Sequence, residues 1–231
     1  MTGEGPVPHA RYMTTTTVRT TRARAGRNEW LVPAGLLLLT IIPSLGGAAR
    51  VAELASDPTV TAENARFVTQ PLPVLVHIVC ATLYGMLGAF QFVPSLRRRS
   101  WHRRAGRVIA VAGLGVALTG LWMTAFYDLP DKDTVVVTGV RYVVGVAMAV
   151  SLVLGVQAAR RRDVVAHPAW MMRAYALAMG AGTQALLLGP YMLLVEAPEP
   201  VPVTILMTAA WVVNAVVAEL VTRRRRVRGS A

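Results

Sequence analysis

The sequence predicts an all-α membrane protein, a polytopic bundle of about six transmembrane helices with both termini in the cytoplasm. Hydrophobic residues make up 54% of the chain and charged residues only 16%, an apolar excess that indicates lipid as the solvent. The apolar residues form blocks of about twenty, the length that a helix needs to cross the hydrocarbon core. Backbone amides in hydrocarbon must be paired within their own segment, and the sequence lacks the alternation of barrel strands, so we expect helices.

Six apolar blocks are predicted to span the bilayer and together form one membrane domain, residues 31–222. Their bounds are 31–49, 72–96, 108–127, 135–158, 169–195 and 201–222. Residues 1–30 are predicted to be a disordered basic arm and not a secretory signal, because the block that follows is too long for a signal segment. Residues 223–231 are predicted to be a basic cytoplasmic tail.

The distribution of arginine predicts the orientation of the bundle. With the amino terminus inside, the basic residues fall on the cytoplasmic side except for Arg50, Arg66, Lys132 and Arg141. Short cytoplasmic loops carry such an excess of positive charge in membrane proteins generally. We therefore expect a multi-pass protein of the cell (cytoplasmic) membrane.

The net charge of +12 has the same origin. A basic chain is a candidate for nucleic-acid binding, but here the arginines lie in short runs between apolar blocks, the pattern of topogenic charge. We expect no nucleic-acid partner. The expected contacts are anionic headgroups of the inner leaflet, and a membrane-protein partner or a second copy of the chain stays open.

The motifs of soluble enzymes are missing from the sequence. There is no hydrolase elbow, phosphate-binding loop, zinc-protease helix or dinucleotide fingerprint, and the single cysteine, Cys80, rules out a disulfide framework. Whether the protein is an enzyme stays open at this point, and no catalytic residue is predicted.

Polar side chains along the second block are predicted to face the bundle interior. His77, Tyr84 and Gln91 recur at spacings of seven residues, with small residues between them, so they share one helical face. Polar groups within a membrane avoid lipid. Interhelical hydrogen bonding is the simpler interpretation for Tyr84 and Gln91, and a wet cavity or path is the functional one.

Two histidines form a candidate haem site. His102 and His167 both lie at cytoplasmic helix starts, and neutral imidazoles from two helices are standard axial ligands of haem iron. Arg103, Arg104, Arg107 and Arg173 are the candidates to neutralise the propionates of haem b, with Arg107 and Arg173 as the selected pair. His77 lies about 27 Å away along its helix and cannot join the pair. The alternative is that both histidines anchor the interface beside Trp101 and Trp170.

A transport role is the second hypothesis. Arg141 lies inside the fourth block and Gln184 inside the fifth, and intramembrane polar residues of this kind mark ion or substrate paths. Together with His77, Tyr84 and Gln91 they define a candidate path for a small transporter or channel. A structural or lipid-interacting subunit without catalysis is the third hypothesis.

Several strings of the sequence resemble one family. They are His77, Gly88-Ala89-Phe90-Gln91-Phe92, Arg97-Arg98-Arg99, His102-Arg103-Arg104-Ala105-Gly106-Arg107, and His167-Pro168-Ala169-Trp170-Met171-Met172-Arg173-Ala174-Tyr175-Ala176-Leu177. They resemble the domain-of-unknown-function 2306 family of uncharacterised bacterial membrane proteins. The resemblance implies a polytopic membrane fold, no defined activity, and six signature positions. These are His77, His102, Arg107, His167, Trp170 and Arg173. A looser similarity runs to membrane cytochromes of the b561 type, which hold haem between histidine pairs, and here His77 has no histidine partner on its side.

Overall fold

The computed structural model describes residues 29–97, 100–129 and 133–229, apart from the side chains at 226, 228 and 229. The described residues form nine helices and no strand. The helices are α1 (Leu31–Ala55), α2 (Ala65–Thr69), α3 (Pro71–Phe90), α4 (Pro94–Arg97), α5 (Ser100–Phe126), α6 (Val135–Arg160), α7 (Ala166–Ala178), α8 (Gly180–Leu194) and α9 (Pro200–Gly229). Six stretches are long and apolar enough to cross a membrane: α1, α3, α5, α6, α7 with α8, and α9 as far as Arg225. The predicted all-α fold with six transmembrane helices is confirmed.

The surface of the bundle matches a lipid solvent. Large apolar side chains lie on its outside along the spans, among them Val111 with 72% of its surface exposed and Leu193 with 88%. In water such side chains would be driven inward, whereas lipid tails are as apolar as the side chains themselves.

Five of the six spans close into a ring, and the sixth lies outside it. Helix α3 packs between α1 and α5, α6 packs between α5 and α7, and α8 returns to α1. Helix α9 covers α7 and α8 and also touches α6. The first and fifth spans are therefore neighbours, although more than a hundred residues separate them in the chain.

Two tyrosines fill the centre of the ring. Tyr84 of α3 and Tyr175 of α7 are buried, with ring centroids 5.5 Å apart. The Tyr175 hydroxyl donates to the carbonyl of Gly85 at 2.6 Å. Glycines make room for both rings, because a Cβ at Gly113 would lie 2.5 Å from Tyr84 and one at Gly88 would collide with Tyr175. Small residues at helix contacts are the usual way in which membrane helices approach closely.

Helix ends differ from the predicted blocks where proline and charge intervene. The second span ends at Phe90 instead of 96, because Pro94 has no N–H to continue the ladder and opens the short helix α4. Gln91 therefore lies at the end of α3 and not within it. The third span begins at Ser100 instead of 108, which places His102 inside the first turn of α5.

The carboxyl-terminal helix extends beyond its predicted block. Helix α9 continues from the span into the arginine run as far as Gly229, so most of the predicted tail is helical. The predicted amino-terminal arm lies outside the described residues except for Glu29 and Trp30.

The fifth span bends at Met179, which separates α7 from α8. Two glycines fix the bend by close contact. A Cβ at Gly182 would collide with the backbone carbonyl of Leu39 in α1, and one at Gly180 would collide with the indole of Trp211 in α9. Because of the bend, α7 packs against α6 while α8 reaches α1.

The bundle has two distinct ends. One end is formed by α4, the last turn of α3, the first turns of α5 and α7, and the carboxyl ends of α6 and α9. We call this end the arginine-rich face. The other end, the opposite face, holds Arg50, Arg66 and Arg141 with their acidic neighbours. There the Tyr127 hydroxyl donates to the Gln70 carbonyl at 2.6 Å, and Arg66 donates to the Asp128 carbonyl at 3.2 Å.

Candidate functional site

The start of α7 is held by an aspartate cap. The Asp163 carboxylate accepts hydrogen bonds from the backbone N–H groups of Val165 at 3.0 Å and Ala166 at 2.8 Å. These two bonds stabilise the ionised form and lower the pKa of Asp163 below its usual value. The Asp163 backbone carbonyl also accepts from the N–H of His167 at 3.1 Å. The cap therefore fixes the turn that carries His167.

The imidazole of His167 is oriented by α6. Its Nδ1 lies 2.9 Å from the carbonyl oxygen of Gly155. A carbonyl can only accept, so Nδ1 carries the proton in the neutral ring and Nε2 keeps a lone pair. Metal-binding histidines are commonly held in this way, with one ring nitrogen bonded to a carbonyl and the other left to the metal.

His102 lies close to His167 on the arginine-rich face. The two rings are near enough to interact electrostatically, and Arg97 and Arg103 also act on His102. Its Nδ1 is buried and has no hydrogen-bond partner among the described residues. The side-chain nitrogen of Gln91 is in the same situation, and the Gln91 backbone carbonyl accepts from Arg97 at 3.3 Å.

These unpaired atoms point to a binding site. Buried polar groups in native proteins are nearly always hydrogen-bonded, and two orphans near one end of a bundle call for an explanation. At the arginine-rich face of the described structure, His102 and Gln91 each have a buried side-chain nitrogen without a partner, and His167 keeps the lone pair of Nε2. We call these three residues the histidine cluster.

The arginines expected to neutralise a cofactor have different surroundings. Arg173 donates to Glu219 through Nε at 3.1 Å and a terminal nitrogen at 2.8 Å, and its guanidinium lies 4.8 Å from the Trp170 ring centroid. Glu219 also binds Arg223 at 3.2 Å. Arg107 is exposed. Arg173 is therefore already neutralised by α9.

Arg97 and Arg103 are the arginines whose charges act on His102. Burial and the neighbouring Arg225 lower the pKa of Arg97, because both disfavour its charged form. A bound anion would favour that charged form. Arg103 is one of the arginines that the sequence offers as partners for propionates, and Arg97 is not among them.

His77 lies in a separate place, between α3 and α5. Its Nδ1 is 2.9 Å from the hydroxyl oxygen of Thr119, and that hydroxyl donates to the Gly115 carbonyl at 2.5 Å. A cavity of about 170 Å³ adjoins His77 at the bend of the fifth span. Its walls come from α1, α3, α5, α7 and α8 and include Thr40, Tyr84, Val116, Met179 and Gly182.

Arg141 and Gln184 do not line this cavity. Arg141 pairs with Asp133 at 2.7 Å on the opposite face, and Gln184 donates to the Met207 carbonyl at 3.2 Å between α8 and α9. Of the predicted path residues, the structure brings only His77 and Tyr84 to the cavity. Arg141 and Gln184 stabilise contacts between segments.

The groups that orient the histidines could not be predicted from the sequence. His167 is oriented by the backbone carbonyl of Gly155, a group that every residue type has. His77 is oriented by Thr119, which belongs to an otherwise apolar run. Tyr175 lies within a string that the sequence singled out, but its contact with Gly85 depends on which helices are neighbours. Among the described residues, no group of three or more His, Cys, Asp or Glu side chains is arranged to hold a metal ion.

Comparison with known proteins identifies the family. A family model described as "Predicted membrane protein (DUF2306)" matches residues 74–222, more than half of the chain. The match runs from α3 into α9 and includes the histidine cluster and His77. No curated protein and no solved structure matches the chain. The chain is an integral membrane protein and belongs to the DUF2306 family.

Proposed function

We propose that this protein binds one haem b between His102 and His167 at its arginine-rich face and transfers electrons there. The observation that carries the proposal is the hydrogen bond from His167 to the Gly155 carbonyl, which leaves Nε2 of His167 as a lone-pair donor close to His102. The two rings supply the ligand set of a six-coordinate haem.

The chemistry of the surrounding residues fits this group. The described structure gives His102 no hydrogen bond that fixes its ring, so the ring can turn toward an iron. Arg97 and Arg103 supply positive charge for propionates, and the Gln91 amide supplies a further donor.

Bound haem supplies a one-electron redox couple, and the chain sets its properties. The hydrogen bond to the Gly155 carbonyl fixes the His167 ring with Nδ1 protonated, so Nε2 is the atom that would hold the iron. The cap at Asp163 holds the His167 turn in place. The arginines favour an anionic cofactor and an anionic exchange partner at the same face.

The proposed location follows from charge. We place the arginine-rich face in the cytoplasm and the protein in the cell membrane, where the anionic inner leaflet attracts the arginine runs at the ends of α6 and α9. The haem then exchanges electrons on the cytoplasmic side.

A reduced-minus-oxidised absorbance spectrum tests the proposal. The protein purified from haem-sufficient cells is expected to show a Soret and an α band. His102→Ala and His167→Ala each abolish the signal, whereas His77→Ala retains it, because His77 lies in another part of the bundle. A silent spectrum of the wild-type protein, or a signal that survives both cluster replacements, would reject haem binding at this site.

The transport hypothesis has weaker support. Its path residues Arg141 and Gln184 are bonded elsewhere and do not line the cavity.

A further inference from the structure

The cavity at the bend of the fifth span has a wall of mixed polarity. Apolar side chains form most of it, and polar side chains of α1 and α3 interrupt them. The polar ones are Thr40, Ser44, His77, Thr82 and Tyr84. The volume of about 170 Å³ has room for several water molecules, since one takes about 30 Å³ in the liquid. Cavities with wholly apolar walls stay dry, so these polar groups decide what fills the space.

Three hydroxyls of the wall have no partner. Ser44, Thr82 and Tyr84 make no hydrogen bond to any described residue, and Tyr84 is only 2% exposed. Thr40 donates to a carbonyl of its own helix, and His77 is bonded to α5, so neither is counted here. Buried hydroxyls in native proteins nearly always have a hydrogen-bond partner. The three hydroxyls therefore need one that the described residues do not supply.

A backbone carbonyl adds a fourth polar group. Pro43 lies inside α1 and has no N–H, so the Leu39 carbonyl lacks the donor that a helix normally supplies four residues later. Both residues line the cavity, and no side chain in the described part of the chain donates to this carbonyl. Carbonyls freed by proline in transmembrane helices are bonded by Ser or Thr side chains or by ordered water. Water is the donor left for Leu39.

The kinds of group and their arrangement favour water over an organic occupant. A hydroxyl can donate or accept, whereas a carbonyl only accepts. A water molecule takes either role, and several separate molecules can reach groups on two helices without a fixed spacing between those groups. A lipid chain in the same space would leave all four groups without a partner.

We infer that a cluster of water molecules occupies this cavity inside the membrane and bonds to Ser44, Thr82, Tyr84 and the Leu39 carbonyl. His77 borders the same cavity, so it faces water although lipid surrounds its span. The inference goes beyond haem binding and does not rest on it, because the histidine cluster does not line the cavity.

Radiolytic labelling of the protein in nanodiscs tests the inference. X-ray pulses convert water into hydroxyl radicals, which oxidise nearby methionines to the sulfoxide. Met179 lines the cavity and is 7% exposed, whereas Met148 is 3% exposed and lies in the core away from the cavity. Mass spectrometry is expected to show Met179 oxidised several-fold faster than Met148, although both side chains are buried.

Removal of the hydroxyls is expected to dry the cavity. Ser44→Ala, Thr82→Val and Tyr84→Phe, combined in one variant, take away the three hydroxyls with little change in shape. The oxidation rate of Met179 should then fall to that of Met148. A variant with Thr138→Val and Tyr142→Phe is the matched control, because it loses two hydroxyls of α6 that do not line the cavity. Met179 keeps its faster oxidation in this control.

Two results would overturn the inference. Oxidation of wild-type Met179 as slow as that of Met148 would show that the cavity is dry or filled by lipid. Undiminished oxidation of Met179 in the triple variant would show that the hydroxyls do not hold the water. The wild-type comparison decides alone if the triple variant fails to fold. Labelling needs no bound haem, so this proposal and the haem proposal fail separately.

Discussion

Arg141 shows how this bundle accommodates a charged side chain in a span. Its guanidinium pairs with Asp133 at 2.7 Å, and the Asp133 side chain is only 6% exposed. The sequence offers Asp128 or Asp131 as the partner of this intramembrane arginine, and the structure pairs it with Asp133 instead. Asp133 is the partner because it sits next to Thr134, the cap of α6, and so is held close to the first turns of that helix.

Loss of Arg141 is expected to cost about 3 kcal/mol of unfolding free energy, because in Arg141→Ala the buried Asp133 carboxylate loses its ion-pair partner and keeps only the longer-range attraction of Arg66. Unfolding in mixed micelles measures the change. The double variant Arg141→Ala with Asp133→Ala recovers most of the loss, since it removes both charges. A double variant as unstable as the single one would show that the pair itself is not the cause.

The surroundings of His102 and His167 could be predicted from the sequence only in part. Sequence position placed His102 and His167 at the same end of the bundle, and the structure brings them close enough to interact. The ion pair of Arg173 with Glu219 of α9 could not be predicted in the same way. No sequence pattern tells which carboxylate a distant helix will present.

At the scale of elements, the cap of α7 couples ionisation to the position of His167. The pKa of Asp163 is lowered in the folded protein, so the folded state favours the ionised carboxylate. The stabilisation is present above the ordinary carboxylate pKa and is lost as pH falls through the lowered value.

The Asp163 variants separate charge from hydrogen bonding. Asp163→Asn keeps an acceptor but has no charge, so its unfolding midpoint lies below that of the wild type at neutral pH. The gap closes as the pH falls below about 4, where the wild-type carboxyl is protonated. Asp163→Ala lacks the acceptor and has the lower midpoint at both pH values. A gap that is independent of pH would contradict the role of the charge.

The bend of the fifth span could be predicted only in part. Glycines and Pro190 in this segment indicate an irregular helix, but the sequence does not show that the bend falls at Met179 or that it directs α8 to α1. That outcome depends on the contact of Gly182 with the Leu39 backbone, which lies far away in the chain.

A methyl group at Gly182 is expected to break this contact. Gly182→Ala places a Cβ against a backbone carbonyl that cannot turn away, and overpacking of this kind costs about 1–3 kcal/mol. Gly35→Ala is the control, because a Cβ there meets no atom within 4 Å. The unfolding midpoints of the two variants in detergent compare them directly. A Gly182→Ala protein as stable as Gly35→Ala would contradict the assigned packing.

At the scale of the whole molecule, the number of spans can be predicted from the length of the apolar blocks. The closure of five spans into a ring cannot. Each apolar block becomes a membrane-length helix because its backbone must be paired inside the segment. The neighbours of each helix depend on small residues and on isolated hydrogen bonds, such as that from Tyr175 to Gly85. The sequence therefore predicted the list of spans and not their arrangement.

The orientation is tested by labelling with a membrane-impermeant thiol reagent. In a Cys80→Ala background, Val60→Cys is placed in the loop after α1 and Val164→Cys in the turn before α7, both at exposed positions. We expect the reagent to label Val60→Cys in intact cells and Val164→Cys only after permeabilisation, because we propose that the arginine-rich face lies inside. The reverse pattern would show the opposite orientation.

A titration of the purified apoprotein with haemin tests most directly whether the histidine cluster binds haem. We predict saturation at one haem per chain with the absorbance of a six-coordinate low-spin iron, the loss of that spectrum in both His102→Ala and His167→Ala, and its retention in His77→Ala. Saturable binding that neither cluster replacement alters, or no saturable binding to the wild-type protein, would contradict the account.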